Sequence, residues 1–186
     1  MKRLVKNSRG ELRELLSNHQ KDLTFSDGMT VGKSHVLLIR HRNVSKPTAR
    51  RHGQQIVATL PPGDDPNTAP ASHLIHDVVL EALRLEAKSH LPKRLAYLAN
   101  KYGFGYEKVR FSHAGSRWGS CSSNGTISLN IALMKLPFEL IDYVLVHELS
   151  HTVEMNHSDN FWRLVEQGDP QYKIHRRLLK AENPSI

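Results

Sequence analysis

The sequence predicts an α+β fold, and three observations carry that prediction. Residues 34–40 and 55–60 are short β-branched runs of the kind found in strands. Residues 61–70 contain four prolines, which mark a linker or a long surface loop. From residue 72 onward apolar residues recur mainly at helical spacing, with two further strand-like runs among them. Strands gathered ahead of helices, rather than alternating with them, favour the α+β class.

The proline-rich loop divides the chain into two parts. We predict a basic, β-strand-rich N-terminal region over residues 1–70 and a second domain over residues 71–186. In the first part, three leucines among charged residues weakly indicate a short helix within residues 1–20. Gly28 and Gly32 indicate turns between the strands.

The second part is predicted to hold four helices and two strands. The helices are expected at residues 72–103, 137–155, 159–165 and 171–180, and the strands at residues 107–112 and 126–130. Pro92 permits a break or a restart in the first helix. Pro137 occupies a typical first helical position. The dipeptide Asn124-Gly125 is a strong turn signal ahead of the second strand.

The chain of 186 residues carries a net charge of +8, and the whole excess lies at one end. Residues 1–51 hold 12 basic and 4 acidic side chains, whereas the remainder is balanced. A local basic excess attracts polyanions, so residues 1–51 are candidates to bind nucleic acid. The commoner role of such charges is to keep a β-rich surface soluble, and no zinc-finger spacing or aromatic-rich basic signature accompanies them.

Hydropathy and cysteine content bear on location. No apolar stretch approaches the roughly 18–20 residues that a membrane-spanning helix needs, so we expect no membrane partner. The basic N-terminus lacks the apolar core of a secretory signal. The single cysteine, Cys121, excludes an internal disulfide framework and fits a reducing compartment. We therefore expect a cytoplasmic protein.

The residues His147-Glu148-Leu149-Ser150-His151 form the pattern H-E-x-x-H. On a helix, residues four apart lie on one face, so His147 and His151 can bind one metal ion. Glu148 lies to the side, where it can accept a proton from a metal-activated water without being a ligand. The preceding helix is mostly apolar, and burying these polar groups is costly unless something satisfies them. The alternative is a pair of hydrogen-bonded core histidines.

A third ligand is needed, and His157 is the best candidate. For the chain to return to the metal the helix must end, and Asn156 is a suitable left-handed terminating residue. Glu154 shares the histidine face but is expected to lie past the metal. Asp159 and Glu166 are weaker candidates. His157 as a surface residue that caps the helix is the other interpretation.

Three segments together resemble the bacterial YgjP-like metallopeptidases, which are small zincins of the minigluzincin type and more distantly similar to the SprT-like and Wss-type proteases. The segments are R-W-G-S-C at residues 117–121, H-E-L-S-H at residues 147–151 and N-H-S-D-N-F-W at residues 156–162. The resemblance implies a zincin-like metallopeptidase domain, with an active-site helix beside a small mixed sheet, preceded by the β-rich N-terminal region. It also implies one Zn²⁺ per chain, bound by His147, His151 and His157.

The same resemblance implies a hydrolase that acts on peptide or protein substrates, with Glu148 as the general base. Zincins bind an extended substrate along an edge strand, and residues 126–130, ending at Asn130, are our candidate for that strand. Arg117 and Trp118 are then expected near the site, and Trp118 either lines it or packs beneath it. Tyr172, together with His175, is a candidate to stabilise the oxyanion. Cys121 is expected to be a small packed residue, and Phe161 and Trp162 are expected to pack against the core.

Two rival functions remain open on the sequence alone. In one, the zinc is structural and residues 1–51 bind nucleic acid, although no fourth Cys or His is spaced to close the site. In the other, the chain is a protease that acts on DNA-associated protein, as its distant SprT and Wss relatives do.

Overall fold

The computed structural model describes residues 24–186 and has the α+β fold that the sequence predicts. Within that range the chain forms two small sheets and four α-helices. The short helix predicted within residues 1–20 lies outside the described residues. None of the four helices combines the length and the hydropathy that crossing a membrane would require.

The first sheet contains four strands from the N-terminal region. They are β1 (Thr30–Val31), β2 (His35–His41), β3 (Thr48–His52) and β4 (Gln55–Leu60). Their order is β1-β2-β4-β3, with β2 and β4 parallel and the other pairs antiparallel. Alternate residues of β4 are fully buried, which is the pattern of a sheet that packs on one face only. The strands predicted at residues 34–40 and 55–60 are confirmed.

Helix α1 (Ala71–Tyr102) is the longest element and packs against β3 and β4. Pro92 lies inside it without a break, although proline removes one helical hydrogen bond. Leu91 and Leu95 on either side are fully buried, so packing holds the helix together across the proline. The helix ends at Gly103, whose left-handed conformation lets its N–H bond to the carbonyl of Ala99.

The second sheet contains β5 (Lys108–Ser112), β6 (Gly119–Cys121) and β7 (Thr126–Asn130) in the order β5-β7-β6. Strand β7 is parallel to β5 and antiparallel to β6, so the sheet is mixed. The prediction that residues 126–130 form an edge strand is therefore wrong, because β7 is paired on both sides. The edge strands are β5 and β6, and the predicted turn at Gly125 folds β6 back onto β7.

Three further helices complete the chain: α2 (Phe138–Ser150), α3 (Asp159–Gly168) and α4 (Tyr172–Leu179). Pro137 is the N-cap of α2 rather than its first helical residue. Helix α2 ends five residues earlier than predicted. The Ser150 hydroxyl donates to the carbonyl of Val146 at 2.8 Å, and the Thr152 hydroxyl donates to the carbonyl of Leu149 at 2.7 Å. These side chains compete with the backbone for the last helical carbonyls.

The predicted left-handed termination at Asn156 is also wrong. Within residues 24–186 only glycines have a positive φ. The chain instead leaves α2 through a tight right-handed turn, in which the amides of Val153 and Glu154 both bond to the carbonyl of Ser150.

A buried carboxylate joins the first sheet to α1. Glu86 is 8% exposed and accepts hydrogen bonds from the amides of Lys33 and Ser34, from the Ser34 hydroxyl and from Nδ1 of His35. Burial alone would raise the pKa of Glu86, but these hydrogen bonds outweigh it and lower the pKa below 4.5. Gly32 is required beside this carboxylate, since a Cβ there would lie 2.2 Å from Oε2.

We expect Glu86→Ala to lower the free energy of unfolding by about 3 kcal/mol at pH 7, because it leaves several buried donors without an acceptor. The folded-state pKa is depressed, so this contribution is present above pH 4.5 and is lost as the pH falls below it. Urea unfolding of wild type and variant at pH 7 and at low pH measures both effects. The exposed Glu107→Ala is the control, and an equal difference at both pH values would contradict the assignment.

Candidate metal centre

Three imidazoles converge at the end of α2. His147 lies in the last turn of the helix, His151 caps it and His157 lies just before α3. One nitrogen from each lies within 4.8 Å of the others, and this is the one group within residues 24–186 with such an arrangement of metal-binding side chains. Nε2 of His147 and Nε2 of His157 are 3.2 Å apart. A tetrahedral zinc ion with bonds of about 2.0–2.1 Å holds two nitrogens about 3.3 Å apart, so the spacing fits a metal.

The turn after α2 positions two of these rings. Nδ1 of His151 donates a hydrogen bond to the carbonyl of Glu154 at 3.1 Å, which fixes the ring and leaves Nε2 to face the centre. The Ser158 side chain then caps α3 by accepting from the amide of Phe161 at 3.4 Å. His157 stands between this cap and the turn. Asp159 and Glu166, the weaker predicted ligands, are not members of the cluster.

Aromatic rings form the floor of the cluster. Phe161 is fully buried, with its ring centroid 4.9, 4.4 and 4.7 Å from those of His147, His151 and His157. Trp162 stacks on His157 at 5.6 Å. The expectation that Phe161 packs against the core is confirmed, and it holds the imidazoles in place from below.

Burial sets the protonation of the histidines. Burial, with the neighbouring charges of His151, His157 and Arg176 acting in the same direction, lowers the pKa of His147 to about 3. Burial also lowers the pKa of His151. Both rings are therefore neutral at neutral pH, which is the form that binds a metal.

Glu148 is 5% exposed, and its Oε2 is buried without a hydrogen-bond partner within residues 24–186. Burial raises its pKa to about 8, while the positive charge of Arg117 acts in the opposite direction. An unsatisfied buried carboxyl oxygen is costly, and a cation nearby would favour the ionised form. The donor set and this orphaned oxygen together fit a metal bound by the three histidines.

The edge strand β6 passes directly against Glu148. A Cβ at Gly119 would lie 2.8 Å from both Cγ and Oε1 of Glu148, so the residue must be glycine for the carboxylate to occupy its position. The sequence alone does not indicate this role of Gly119. The pattern R-W-G-S-C marks the segment, but only the fold shows that its glycine faces Glu148.

The predicted substrate-binding residues separate into two groups. Arg117 is exposed and Trp118 is half-buried just before β6, where Trp118 packs on the core. Asn130 is fully buried, and its amide donates to the carbonyls of Ala114 and Arg117 at 2.6 and 3.0 Å. Asn130 thus orders the loop that leads into β6 and presents no polar group to a substrate.

Tyr172 and His175 lie on α4. Tyr172 is buried, and its ring stacks on Trp162 with the ring centroids 5.4 Å apart. Nδ1 of His175 donates to Asp169 at 2.7 Å. Cys121 is half-buried and, like these residues, is not a member of the histidine cluster.

A histidine pair on a helix, a third histidine after a tight turn and a carboxylate between the first two define a metallopeptidase-type site. A family model described as "YgjP-like, metallopeptidase domain" matches residues 1–182. The chain belongs to this YgjP-like metallopeptidase family and is a metal-dependent peptidase. No functionally curated protein matches the sequence.

Two solved structures are similar to the chain. One is the metallopeptidase zymogen of Pyrococcus abyssi abylysin, which is 28% identical with a TM-score of 0.45, over 51% of this chain and 98% of that chain. The other is the metallopeptidase zymogen of Methanocaldococcus jannaschii jannalysin, which is 16% identical with a TM-score of 0.40, over 49% of this chain and 96% of that chain.

We expect Gly119→Ala to retain the bound metal but to lower kcat/KM on a peptide substrate by about 10²-fold, because the added methyl group displaces the Glu148 carboxylate from its position beside β6. Metal analysis and peptidase kinetics on the same sample separate the two effects. Gly105→Ala is the control, since a Cβ there meets nothing within 4 Å. Wild-type kinetics in Gly119→Ala would contradict the contact.

Proposed function

We propose that the protein is a zinc-dependent peptidase that binds one zinc ion per chain through His147, His151 and His157. Glu148 is its general base. The observation that carries the proposal is the convergence of three imidazole nitrogens within 4.8 Å, beside a buried carboxylate whose Oε2 has no partner within residues 24–186. Three imidazole nitrogen ligands suit zinc, and no fourth ligand from residues 24–186 joins the cluster, which leaves a coordination position for chemistry.

When bound, zinc would supply Lewis acidity and activate water for attack on a peptide carbonyl. Glu148 accepts the proton of the attacking water at its carboxylate and later returns it to the leaving amine. The contact with Gly119 holds this carboxylate in one orientation. The aromatic floor of Phe161 and Trp162 excludes water from below the imidazoles.

Strand β6 (Gly119–Cys121) is the proposed docking strand for the substrate backbone. Within the described chain it pairs with β7 on one side only, and it lies beside Glu148. An extended peptide that adds to the free side of β6 places its backbone next to the carboxylate. We therefore assign substrate docking to β6 instead of the predicted residues 126–130, because β7 is paired on both sides and has no free edge.

We expect Glu148→Gln to keep about one zinc per chain and to lose about 10²–10⁴-fold in kcat, because glutamine is nearly isosteric but cannot accept the proton. Zinc analysis and hydrolysis of an unfolded protein substrate measure both quantities. Glu139→Gln, an exposed change on the same helix, is the control. Cleavage by Glu148→Gln at the wild-type rate would refute the mechanism.

We expect His151→Ala to bind zinc far more weakly and to lose the stabilisation that zinc gives to wild type, because metal binding is coupled to folding. Thermal unfolding with added zinc and with a chelator measures this difference. The exposed His73→Ala is the control. An unchanged metal content in His151→Ala would remove the ligand assignment.

Three further proposals rest on the sequence. They are the division into residues 1–70 and 71–186, a cytoplasmic location, and contact of residues 1–51 with nucleic acid. The structure describes six of the basic residues in the segment 1–51. They run from Lys33 to Arg51 and lie in the first sheet and its turns. Salt-dependent binding of DNA by the full chain tests the third.

A further inference from the structure

Two positively charged side chains flank the candidate metal centre from different elements. Arg117 precedes the edge strand β6, and Arg176 lies on α4. Both are exposed. In the part of the chain from residue 24 onward, neither guanidinium has a carboxylate within 4.0 Å. The proposed chemistry uses neither residue.

Arg176 is held beside the histidines by an aromatic stack. Its guanidinium carbon lies 4.5 Å from the ring centroid of Trp162, and that ring lies 5.6 Å from His157 and 6.0 Å from His147. A guanidinium that stacks on an indole keeps the N–H donors at its edge available. Arg176 can therefore bind a carboxylate without leaving Trp162.

Arg117 is fixed near the centre through its backbone. Its carbonyl accepts a hydrogen bond from the buried Asn130 amide at 3.0 Å. Two residues later the chain reaches Gly119, whose backbone packs against Glu148. The backbone of Arg117 is thus held in place just before the proposed docking strand, and its side chain is exposed there.

Three acidic groups near the centre are already buried or hydrogen-bonded. Glu148 is buried, and Asp169 accepts hydrogen bonds from His175 at 2.7 Å and from the amide of Gln171 at 3.0 Å. The carboxylate of Glu154 accepts from the amide of Asn156 at 3.4 Å. The two exposed guanidinium groups therefore meet a substrate without an internal counter-ion within salt-bridge distance.

We propose that the peptidase selects peptides with Asp or Glu side chains close to the cleaved bond, on both sides of it, with Arg117 and Arg176 each binding one carboxylate. The inference rests on the proposed function and adds the substrate class. An extended peptide laid along β6 passes Arg117, which precedes that strand, and its cleaved bond lies at the imidazoles, beside which Arg176 stacks on Trp162. Arg117 and Arg176 are specificity residues and take no part in proton transfer.

The test uses the zinc-loaded full chain and a set of peptides. A digest of a random peptide mixture, read by mass spectrometry, first identifies one cleaved sequence. Versions of that sequence with Glu, Gln or Lys on either side of the bond are then compared by kcat/KM. We expect each Glu to gain about 3-fold over Gln, about 10-fold for the pair, with Lys poorest. The preference should shrink at about 1 M salt, where the Debye length is about 3 Å.

Charge variants assign the preference to the two residues. Arg117→Glu and Arg176→Glu should each reverse the preference on one side of the bond, and Arg176→Gln should abolish it there with less disturbance of Trp162. Arg177→Glu is the matched control, an exposed arginine one residue along the same helix. Anisotropy of labelled Glu and Lys peptides on Glu148→Gln gives a binding readout that needs no hydrolysis.

The outcomes separate this inference from the function on which it rests. Cleavage of Glu, Gln and Lys peptides at equal rates, or an unchanged preference in both charge variants, would overturn the acidic specificity and leave the peptidase intact. If no peptide is cleaved faster by wild type than by Glu148→Gln, the proposed function fails and the inference fails with it.

Discussion

The end of helix α2 at Ser150 is the constraint on which the metal centre depends. Had the helix continued to residue 155, its rise of 1.5 Å per residue would have carried the chain about 7 Å further from His147, and His157 could not have returned. The hydroxyl groups of Ser150 and Thr152 bond to the last helical carbonyls, and the chain turns at once. The same turn brings the Glu154 carbonyl to Nδ1 of His151. One local feature therefore closes the histidine cluster and orients a ring within it.

The position of Glu148 depends on the contact between helix α2 and the second sheet. Within residues 24–186 the Oε2 atom of Glu148 and the Nδ1 atom of His147 are buried without a hydrogen-bond partner, so the fold retains groups that lower its stability. Such costs are typical of functional sites, where packing elsewhere offsets them. Here the buried apolar face of α2 and the fully buried Phe161 supply that packing. Gly119 completes the arrangement, because only a residue without a side chain allows the edge strand to approach the carboxylate.

The histidines, the helices and the α+β class could be predicted because each has a local signal. The pattern H-E-x-x-H needs only helical spacing, and the turn after α2 brings His157 to the same point. The order of the second sheet could not be predicted, because pairing is nonlocal and Gly119–Cys121 is too short and too poor in β-branched residues to read as a strand. The prediction of Asn130 as a substrate-binding residue lacked the same nonlocal information. A polar residue at the end of a strand looks available to a ligand until the loop that it supports is known.

The net charge of a segment does not reveal how its charged side chains are arranged in the fold. Residues 52–186 are balanced in sequence, so composition assigns them no electrostatic role. In the fold, Asp169 accepts a hydrogen bond from His175, Asp142 accepts one from Arg94, and Glu148 is buried. By contrast, Arg117 and Arg176 are exposed near the histidine cluster. Charges that are paired or buried contribute little to the potential that an approaching molecule meets, and those left exposed beside a cleft dominate it. The selectivity that we propose then depends on which carboxylates the fold has already engaged, rather than on how many the sequence contains.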